Sequence, residues 1–201
     1  YPVFKGAPLA DRFLSQYGTA PTARYGIMTE AGDAVIKNMI VRDDNFNPEN
    51  FDPDKWHDKV VQASELLDAT NPDISAFKDN GGKLILIHGA ADQIVTFQGT
   101  IDYYNQLTDK FGKDTLGKFV KFYMVPGNGH YNSETWNMQS DILGALDQWV
   151  VNNKSPENLI VTDGSEKTAG RTRPLLEYPA YPEYKGSGDV NSAESFISAT
   201  P

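Results

Sequence analysis

Two apolar runs, each followed by a loop with polar residues, dominate the pattern of this chain. Residues 83–89 and 119–125 are largely apolar runs, which is typical of strands buried on both faces of a parallel sheet. Between them, residues 96–111 repeat apolar positions every three or four residues and therefore predict an amphipathic helix. The same spacing over residues 134–152 predicts another helix. The order strand, helix, strand, helix indicates a parallel α/β fold.

The residues upstream of these strands give a mixed pattern. Residues 1–33 contain several prolines and glycines, so we expect an irregular segment there. Residues 34–41 predict a short helix or strand, of which we favour the helix, and residues 54–67 predict a longer helix with Asp54 as its N-cap. We therefore divide the chain into this first segment and a main body that comprises residues 34–201.

The C-terminal part of the chain has a different character. Residues 159–161 predict a short strand, and residues 171–188 are rich in proline and tyrosine. This second stretch is too apolar for a disordered segment, so we expect it to lie extended against the body of the protein.

Composition and charge exclude several classes of function. The 201-residue chain has a net charge of -9, which argues against nucleic acids and anionic membranes as partners. No apolar run approaches the ~20 residues that a membrane-spanning helix needs. The chain has no cysteine, which excludes disulfides, thiol nucleophiles and cysteine-bound metals. Tyr1 stands where an initiator Met or a signal peptide would be, so we expect a longer protein upstream.

Candidate chemistry lies in the loops that follow the two predicted strands. Asp92 comes just after the first strand, and His130 comes just after the second. Parallel strands bring such loops together at one edge of a sheet. An acid followed by a histidine is also the order of these two residues in the Ser-His-Asp triad of an α/β-hydrolase. Alternatively, Asp92 caps the helix near Thr96, and His130 is a surface residue.

The other histidines fit structural roles better than catalytic ones. His88 ends a buried strand, so we expect it to be held by hydrogen bonds within the fold. His57 lies on a predicted helix beside Trp56 and Asp58, and we expect it at the surface. No pair of the three histidines has the spacing of metal ligands.

A serine nucleophile in this arrangement would precede the acid, inside a Gly-x-Ser-x-Gly-like turn between a strand and a helix. Ser15, Ser64 and Ser75 precede Asp92, and none of them has that setting. Ser187 lies after the histidine, and no strand is predicted before it. The chain thus carries a candidate acid and base, and we expect the nucleophile outside it.

One acidic stretch has the spacing of a calcium-binding loop. Asp43, Asn45 and Asn47 occupy its first positions, but Pro48 stands where the loop needs glycine. Asp54 stands where a bidentate glutamate is expected. Turns closed by the Asp and Asn side chains of a solvated connector are the alternative, and the pattern favours them.

Four stretches together resemble the tannase and feruloyl esterase family. The most characteristic of them reads Val-Pro-Gly-Asn-Gly-His at residues 125–130. The others are residues 71–92, which end in His-Gly-Ala-Ala-Asp, residues 99–104, and residues 173–189 with Arg-Pro-Leu-Leu-Glu-Tyr-Pro. The similarity extends over residues 34–196.

The resemblance implies that the chain is the C-terminal half of an α/β-hydrolase, with a mostly parallel sheet and flanking helices. Asp92 would be the triad acid and His130 the triad base. The nucleophilic serine would lie upstream, and residues 1–33 would end a lid inserted before the acid. The resemblance implies no cofactor in this chain, although a structural calcium ion would fit the missing lid. It also implies a secreted or periplasmic protein.

Two positions depart from the family pattern. The resemblance places a cysteine directly after the histidine, where this chain has Tyr131, and another at the position of Leu176. In the family, the first of these bonds to a cysteine beside the serine. This member must therefore hold His130 in register by packing.

The leading hypothesis is a serine esterase for aromatic acid esters, completed by the missing N-terminal half of the same protein. By itself, the chain is expected to be inactive. The alternative is a non-catalytic binding or structural domain that has kept the hydrolase frame. An unrelated hydrolase of the same fold, such as a peptidase, is disfavoured by the motif at residues 173–189.

Overall fold

The computed structural model describes residues 27–92, 94–130 and 136–201. The chain divides into two compact units, and the boundary within the described residues falls between Asn71 and Pro72. No helix in these described stretches is both long enough and apolar enough to cross a membrane.

The smaller unit is helical. Its elements are α1 (Ile27–Val35), a π-helical turn (Ile36–Val41), a 3₁₀ turn (Pro48–Asn50) and α2 (His57–Leu67). The helix predicted at residues 34–41 is confirmed. It starts earlier than predicted, because α1 includes residues that were expected to be irregular. The π-helical turn buries Ile40 and ends at Arg42, whose left-handed backbone (φ 60°) cannot continue a helix.

Asp54 does not cap α2, so this prediction was wrong. The residue before the helix is Trp56, and no side chain caps the first turn. Asp52 instead accepts the amide hydrogen of Asp54 at 3.1 Å, forming a turn that delays the helix to His57.

The side chains of the calcium-like stretch are engaged with their own backbone. Asp43 Oδ1 accepts the amide of Asn45 at 2.9 Å, and Asn47 Oδ1 accepts the amide of Glu49 at 3.1 Å. These are the side-chain-closed turns that the sequence favoured. Local turns therefore account for one side-chain oxygen each of Asp43 and Asn47.

The larger unit contains the strands of the described chain. Its helices are α3 (Ser75–Asp79), α4 (Phe97–Phe111), α5 (Lys113–Leu116) and α6 (Ile142–Asn152). Its strands are β1 (Leu84–Gly89), β2 (Val120–Val125), β3 (Met138–Gln139), β4 (Leu159–Asp163), β5 (Thr172–Leu175), β6 (Tyr181–Tyr184) and β7 (Phe196–Ala199).

The parallel pair β1 and β2 confirms the predicted frame. The strands run in register, so that Gly89 lies opposite Val125 at their carboxyl ends. Helix α4 connects them, and it starts after Thr96, whose hydroxyl accepts the amide of Gln98 at 3.3 Å. It ends at Gly112, whose positive φ of 73° suits glycine and stops the helix.

The core of the larger unit forms where α4 packs on β2. Phe122, Leu107 and Val120 have no exposed surface. The Phe122 ring lies 5.2 Å from that of Tyr104 and 5.0 Å from that of Tyr178, both measured between centroids. Because Tyr178 belongs to the C-terminal tail, this aromatic group ties the tail to the strand that leads to His130.

The tail is extended, as the sequence predicted. Strands β3, β4 and β5 form an antiparallel sheet, and β6 pairs antiparallel with β7. The amide of Tyr178 donates to the carbonyl of Phe122 at 2.8 Å, so the tail also covers the edge of β2 that faces away from β1.

The helix predicted over residues 134–152 was wrong in its first part. Residues 138–139 form β3, and α6 begins only at Ile142, with Asp141 as a cap that accepts the amide of Gly144 at 2.9 Å. Residues 134–135 lie outside the described chain. Side chains from other parts of the fold accept the amides of Asn137 and Met138, and these contacts hold the backbone extended.

Candidate active site

The structure brings Asp92 and His130 together at the carboxyl ends of β1 and β2. The amide of Ala91 donates to the carbonyl of Asn128 at 3.0 Å, so the loop after β1 lies directly against the loop after β2. His130 Nδ1 lies 3.0 Å from Asp92 Oδ2, which is a hydrogen bond between the two predicted site residues.

Asp92 is oriented from both sides of its carboxylate. Oδ1 accepts the amides of Ile94 at 2.9 Å and Val95 at 2.8 Å, while Oδ2 accepts from His130. Burial pushes the pKa of the Asp92 carboxyl upward. The two amides and the His130 ring outweigh burial and hold this pKa below its ordinary value. Asp92 is therefore an anion at neutral pH. The cap of α4 is Thr96 rather than Asp92.

The hydrogen bond fixes the tautomer of His130. An ionised carboxylate only accepts, so the proton of the neutral ring lies on Nδ1 and the lone pair lies on Nε2. The His130 side chain is 32% exposed, compared with 9% for Asp92. A partly open imidazole backed by a buried carboxylate can act as a general base through Nε2.

Asn128 joins the acid loop to the histidine loop. Besides the bond from Ala91 to its carbonyl, its side-chain Oδ1 accepts the amide of Met138 at 3.0 Å. The adjacent Gly127 has a positive φ of 76°, which turns the chain sharply after β2. Asn128 thus contacts both the acid loop, through Ala91, and the chain beyond His130, through Met138.

The buried carboxylate of Asp163 holds the chain that follows the histidine loop. This residue was not identified from the sequence. Asp163 Oδ1 accepts the amides of Asn137 at 3.0 Å and Ser165 at 2.9 Å. Its Oδ2 accepts from the Thr168 hydroxyl at 2.7 Å and from Arg171 Nη2 at 2.6 Å. The sequence signal was only an Asp-Gly pair after a short strand, which is common at turns.

The arginines beside Asp163 continue into a stack on Trp136. The guanidinium carbons of Arg171 and Arg173 lie 5.4 Å and 5.6 Å from the centroid of the Trp136 ring. Trp136 is the first described residue after the histidine loop, and it is 6% exposed. The cluster of Asp163, Arg171 and Trp136 therefore anchors the chain just beyond His130.

Asp163→Asn in the full-length protein is expected to lower the free energy of unfolding by about 3–5 kcal/mol, because it breaks a buried ion pair. Burial pushes the pKa of Asp163 up, but its amide, hydroxyl and arginine donors hold it well below the ordinary value. The contribution of this carboxylate is therefore present above a pH of about 4 and is lost as pH falls further. Urea unfolding at several pH values measures both effects.

Asp147→Asn is the matched control, because Asp147 lies exposed on α6. It should leave the unfolding free energy nearly unchanged at neutral pH. If Asp163→Asn is as stable as the control, Asp163 does not anchor this region. The same conclusion follows if the unfolding free energy of Asp163→Asn falls between pH 5 and 3 as steeply as that of the unchanged protein.

The other histidines and two of the serines have structural surroundings rather than catalytic ones. His88 is hydrogen-bonded inside the fold, and His57 is exposed, as expected for both. Ser75 donates to Asp73 at 2.7 Å at the start of α3, and Ser64 lies on α2, where it donates to Asp68. Neither serine follows a strand.

Ser187, Ser15 and Tyr131 are the other positions that the sequence singled out. Ser187 does follow a strand, the antiparallel β6, so the expectation that no strand precedes it was wrong. It still lacks the setting of a nucleophile, because a 3₁₀ turn (Ala193–Ser195) rather than an α-helix comes after it. Ser15 and Tyr131 lie outside the described residues. Among the residues that are described, no group of three or more His, Asp and Glu side chains could hold a metal ion.

The family model described as "Tannase and feruloyl esterase" matches residues 14–199 of this chain. The chain belongs to the tannase and feruloyl esterase family. The resemblance drawn from residues 71–189 is thereby confirmed. The boundary expected between residues 33 and 34 remains a prediction, as do the catalytic roles of Asp92 and His130.

Curated relatives of this family member are esterases by their names. An uncharacterized esterase from Agrobacterium fabrum is 40% identical over 171 residues, covering 82% of this chain and 30% of that protein. The mono(2-hydroxyethyl) terephthalate hydrolase of Piscinibacter sakaiensis is 38% identical over 66% of this chain and 22% of its own length. A probable feruloyl esterase from Arthroderma benhamiae is 31% identical over 82% and 32%, respectively. The chain thus spans at most about a third of these relatives.

Solved structures confirm the α/β fold class. Feruloyl esterase B from Aspergillus oryzae superposes with a TM-score of 0.70 at 20% identity, covering 82% of this chain and 36% of that chain. Tannin acyl hydrolase from Aspergillus niger superposes with a TM-score of 0.67 at 20% identity, covering 91% and 36%.

Proposed function

We propose that this chain is the acid- and histidine-bearing part of a serine carboxylic-ester hydrolase that acts on esters of aromatic acids. The observation that carries the proposal is the 3.0 Å hydrogen bond between His130 Nδ1 and the buried Asp92 carboxylate. It is the pairing that a triad needs between its base and its acid. Membership of the tannase and feruloyl esterase family supports the esterase assignment.

The proposed reaction is acyl transfer through a serine. His130 Nε2 takes the proton of the serine hydroxyl as its oxygen attacks the ester carbonyl, and Asp92 stabilises the imidazolium that forms. His130 then protonates the departing alcohol oxygen, which leaves an acyl-enzyme. A water molecule, deprotonated by the same Nε2, attacks the acyl-enzyme and releases the acid. His130 returns its proton to the serine.

We infer that the nucleophile lies in polypeptide upstream of Tyr1. In this fold the serine precedes the acid, and none of the serines Ser64, Ser75 and Ser187 has the required setting. Strand β1 supports the same view. It is apolar, most of it is only half-buried, and within the described residues its sole hydrogen-bonded strand partner is β2. Its other edge can accept a parallel strand from the missing part of the sheet.

The aromatic acyl group is suggested by the names of the relatives. One is a terephthalate monoester hydrolase, several are feruloyl esterases, and one is a tannase. Two further parts of the proposal rest on the family resemblance alone. One is secretion of the protein or its export to the periplasm, and the other is a structural calcium ion held by lid residues outside this chain.

Ester hydrolysis by the full-length protein and by residues 1–201 tests the proposal. The full-length protein should hydrolyse an aryl ester such as methyl ferulate, while residues 1–201 alone should show no turnover, because the serine is missing. Hydrolysis by residues 1–201 that His130→Ala abolishes would mean that a nucleophile inside the chain was overlooked. Absence of turnover in the full-length protein, with tight binding of the esters, would support the non-catalytic domain instead.

A further inference from the structure

His88 is a largely buried histidine that the proposed reaction does not use. It lies on β1, directly before Gly89, and its side chain is 10% exposed. A buried polar ring of this kind is costly unless both of its nitrogens have partners. Its partners lie in the acid loop and on helix α4.

Both ring nitrogens of His88 are hydrogen-bonded. Nε2 lies 3.1 Å from the carbonyl oxygen of Val95, and because a carbonyl only accepts, Nε2 carries a proton. Nδ1 lies 2.8 Å from the hydroxyl of Thr100, which can donate to it. The ring is thus fixed between the end of β1 and the first turns of α4.

The contact with Val95 connects His88 to the candidate acid. The amide of Val95 donates to Asp92 Oδ1 at 2.8 Å, while the carbonyl of the same residue accepts from His88. In addition, His88 Nε2 lies 3.5 Å from Asp92 Oδ2, the oxygen that accepts from His130. His88 therefore reaches the acid both through the loop and directly.

We propose that His88 is a positioning residue for the Asp92–His130 pair. It holds Val95 so that its amide points at Oδ1, and it places an N–H beside Oδ2. This inference rests on the proposed function, since it concerns the geometry of the triad acid. A misplacement of about 1 Å near a reacting group can lower a rate by about 100-fold. Loss of this support should therefore reduce kcat without removing the site.

Two amide variants separate the contacts of His88. In His88→Gln, the side-chain nitrogen reaches the position of Nε2 and can still donate to the Val95 carbonyl. In His88→Asn, the shorter amide reaches only the position of Nδ1, next to Thr100. His88→Leu removes both partners at similar volume.

In the full-length protein, kcat is expected to fall about 10-fold to 100-fold in His88→Leu and His88→Asn, with KM little changed. His88→Gln should restore most of kcat. The strongly downfield proton NMR signal of a histidine Nδ1–H bonded to a carboxylate should persist in His88→Gln and weaken in the other two variants. If His88 only stabilised the fold, the variants would lower Tm, but kcat and the NMR signal would not differ between His88→Gln and His88→Asn.

Wild-type kcat in all three variants, or equal losses in His88→Gln and His88→Asn, would overturn the proposal. Thr100→Val gives a second approach if His88→Leu fails to fold, because it removes only the hydroxyl partner of Nδ1. It should lower kcat less than His88→Asn does, and a larger loss would also contradict the proposal.

His130→Ala distinguishes failure of the proposed function from failure of the role of His88. If that variant keeps its activity, the proposed function itself fails. If it is inactive while the His88 series is unchanged, only the role of His88 fails.

Discussion

Replacing His130 by alanine in the full-length protein should lower kcat for aryl esters by roughly 10⁶-fold, with a small change in KM. The expected loss is this large because His130 is proposed to move the proton in both halves of the reaction. Without it, the serine stays protonated, and no group donates a proton to the departing alcohol. Steady-state kinetics on methyl ferulate, with purified variants of matched Tm, measure the change.

Asp92→Asn tests the other partner and should cost roughly 10⁴-fold in kcat. An asparagine amide that faces Nδ1 as a donor would favour the tautomer with its proton on Nε2, which cannot act as the base. The smaller loss is expected because the His130 ring remains in place.

His57→Ala is the control for His130→Ala, because its side chain is 72% exposed in the smaller unit. It should leave both kcat and KM unchanged. Comparable activity in His130→Ala and His57→Ala would contradict the assignment of the base. Unchanged activity in Asp92→Asn would contradict the assignment of the acid.

Gly89→Ala is expected to lower both stability and activity, because Gly89 lies directly against the backbone of the histidine loop. A Cβ at this position would lie 2.2 Å from the carbonyl oxygen of Asn128, which is backbone and cannot rotate away. The same carbonyl accepts the amide of Ala91, so relief of the clash must separate the acid loop from the histidine loop.

The expected result of Gly89→Ala is a loss of about 1–3 kcal/mol in unfolding free energy, or more if the strands separate. It should be accompanied by a drop in kcat of about 100-fold as Asp92 and His130 move apart. Chemical denaturation and steady-state kinetics of the same sample report the two quantities.

Gly99→Ala is the matched control, since Gly99 lies on α4 and a Cβ there would have no atom within 4 Å. Alanine favours a helix more than glycine does, so this change should raise stability by up to about 1 kcal/mol without affecting kcat. If both variants behave alike, the two loops tolerate separation, and the close approach at Gly89 is not needed for the site.

The frame and the candidate pair could be predicted because each depends on local pattern. Two consecutive apolar runs with a helical pattern between them determine the parallel pair β1 and β2. In-register parallel strands end at one edge, so a polar residue just past each end must meet the other. Asp92 and His130 satisfy this condition, and their contact follows from the topology.

The start of the helix predicted over residues 134–152 was wrong because only local pattern was used to place it. Its apolar spacing continues upstream of Ile142, and local pattern alone therefore extends the helix. Asn128 and Asp163 accept the amides of Met138 and Asn137, and both acceptors are distant in sequence. Tertiary hydrogen bonds overrode a periodic pattern that contains no sign of them.

The anchors of the site were also invisible to the sequence. The role of Asp163 depends on the pairing of β4 with both β3 and β5, which brings Asn137 and Arg171 to opposite oxygens of one carboxylate. The role of His88 depends on the position of the Val95 carbonyl in a tight loop. Residue type and spacing cannot specify such contacts, whereas a buried carboxylate with four or more donors is recognisable once the strands are paired.

Covalent labelling of the full-length protein with a fluorophosphonate, followed by peptide mass mapping, tests the central claim most directly. This reagent modifies a serine only when a neighbouring base has activated it. We expect a single labelled serine upstream of Tyr1, with labelling lost in His130→Ala and strongly slowed in Asp92→Asn. A label on a serine within residues 1–201, or labelling at the wild-type rate in His130→Ala, would contradict it.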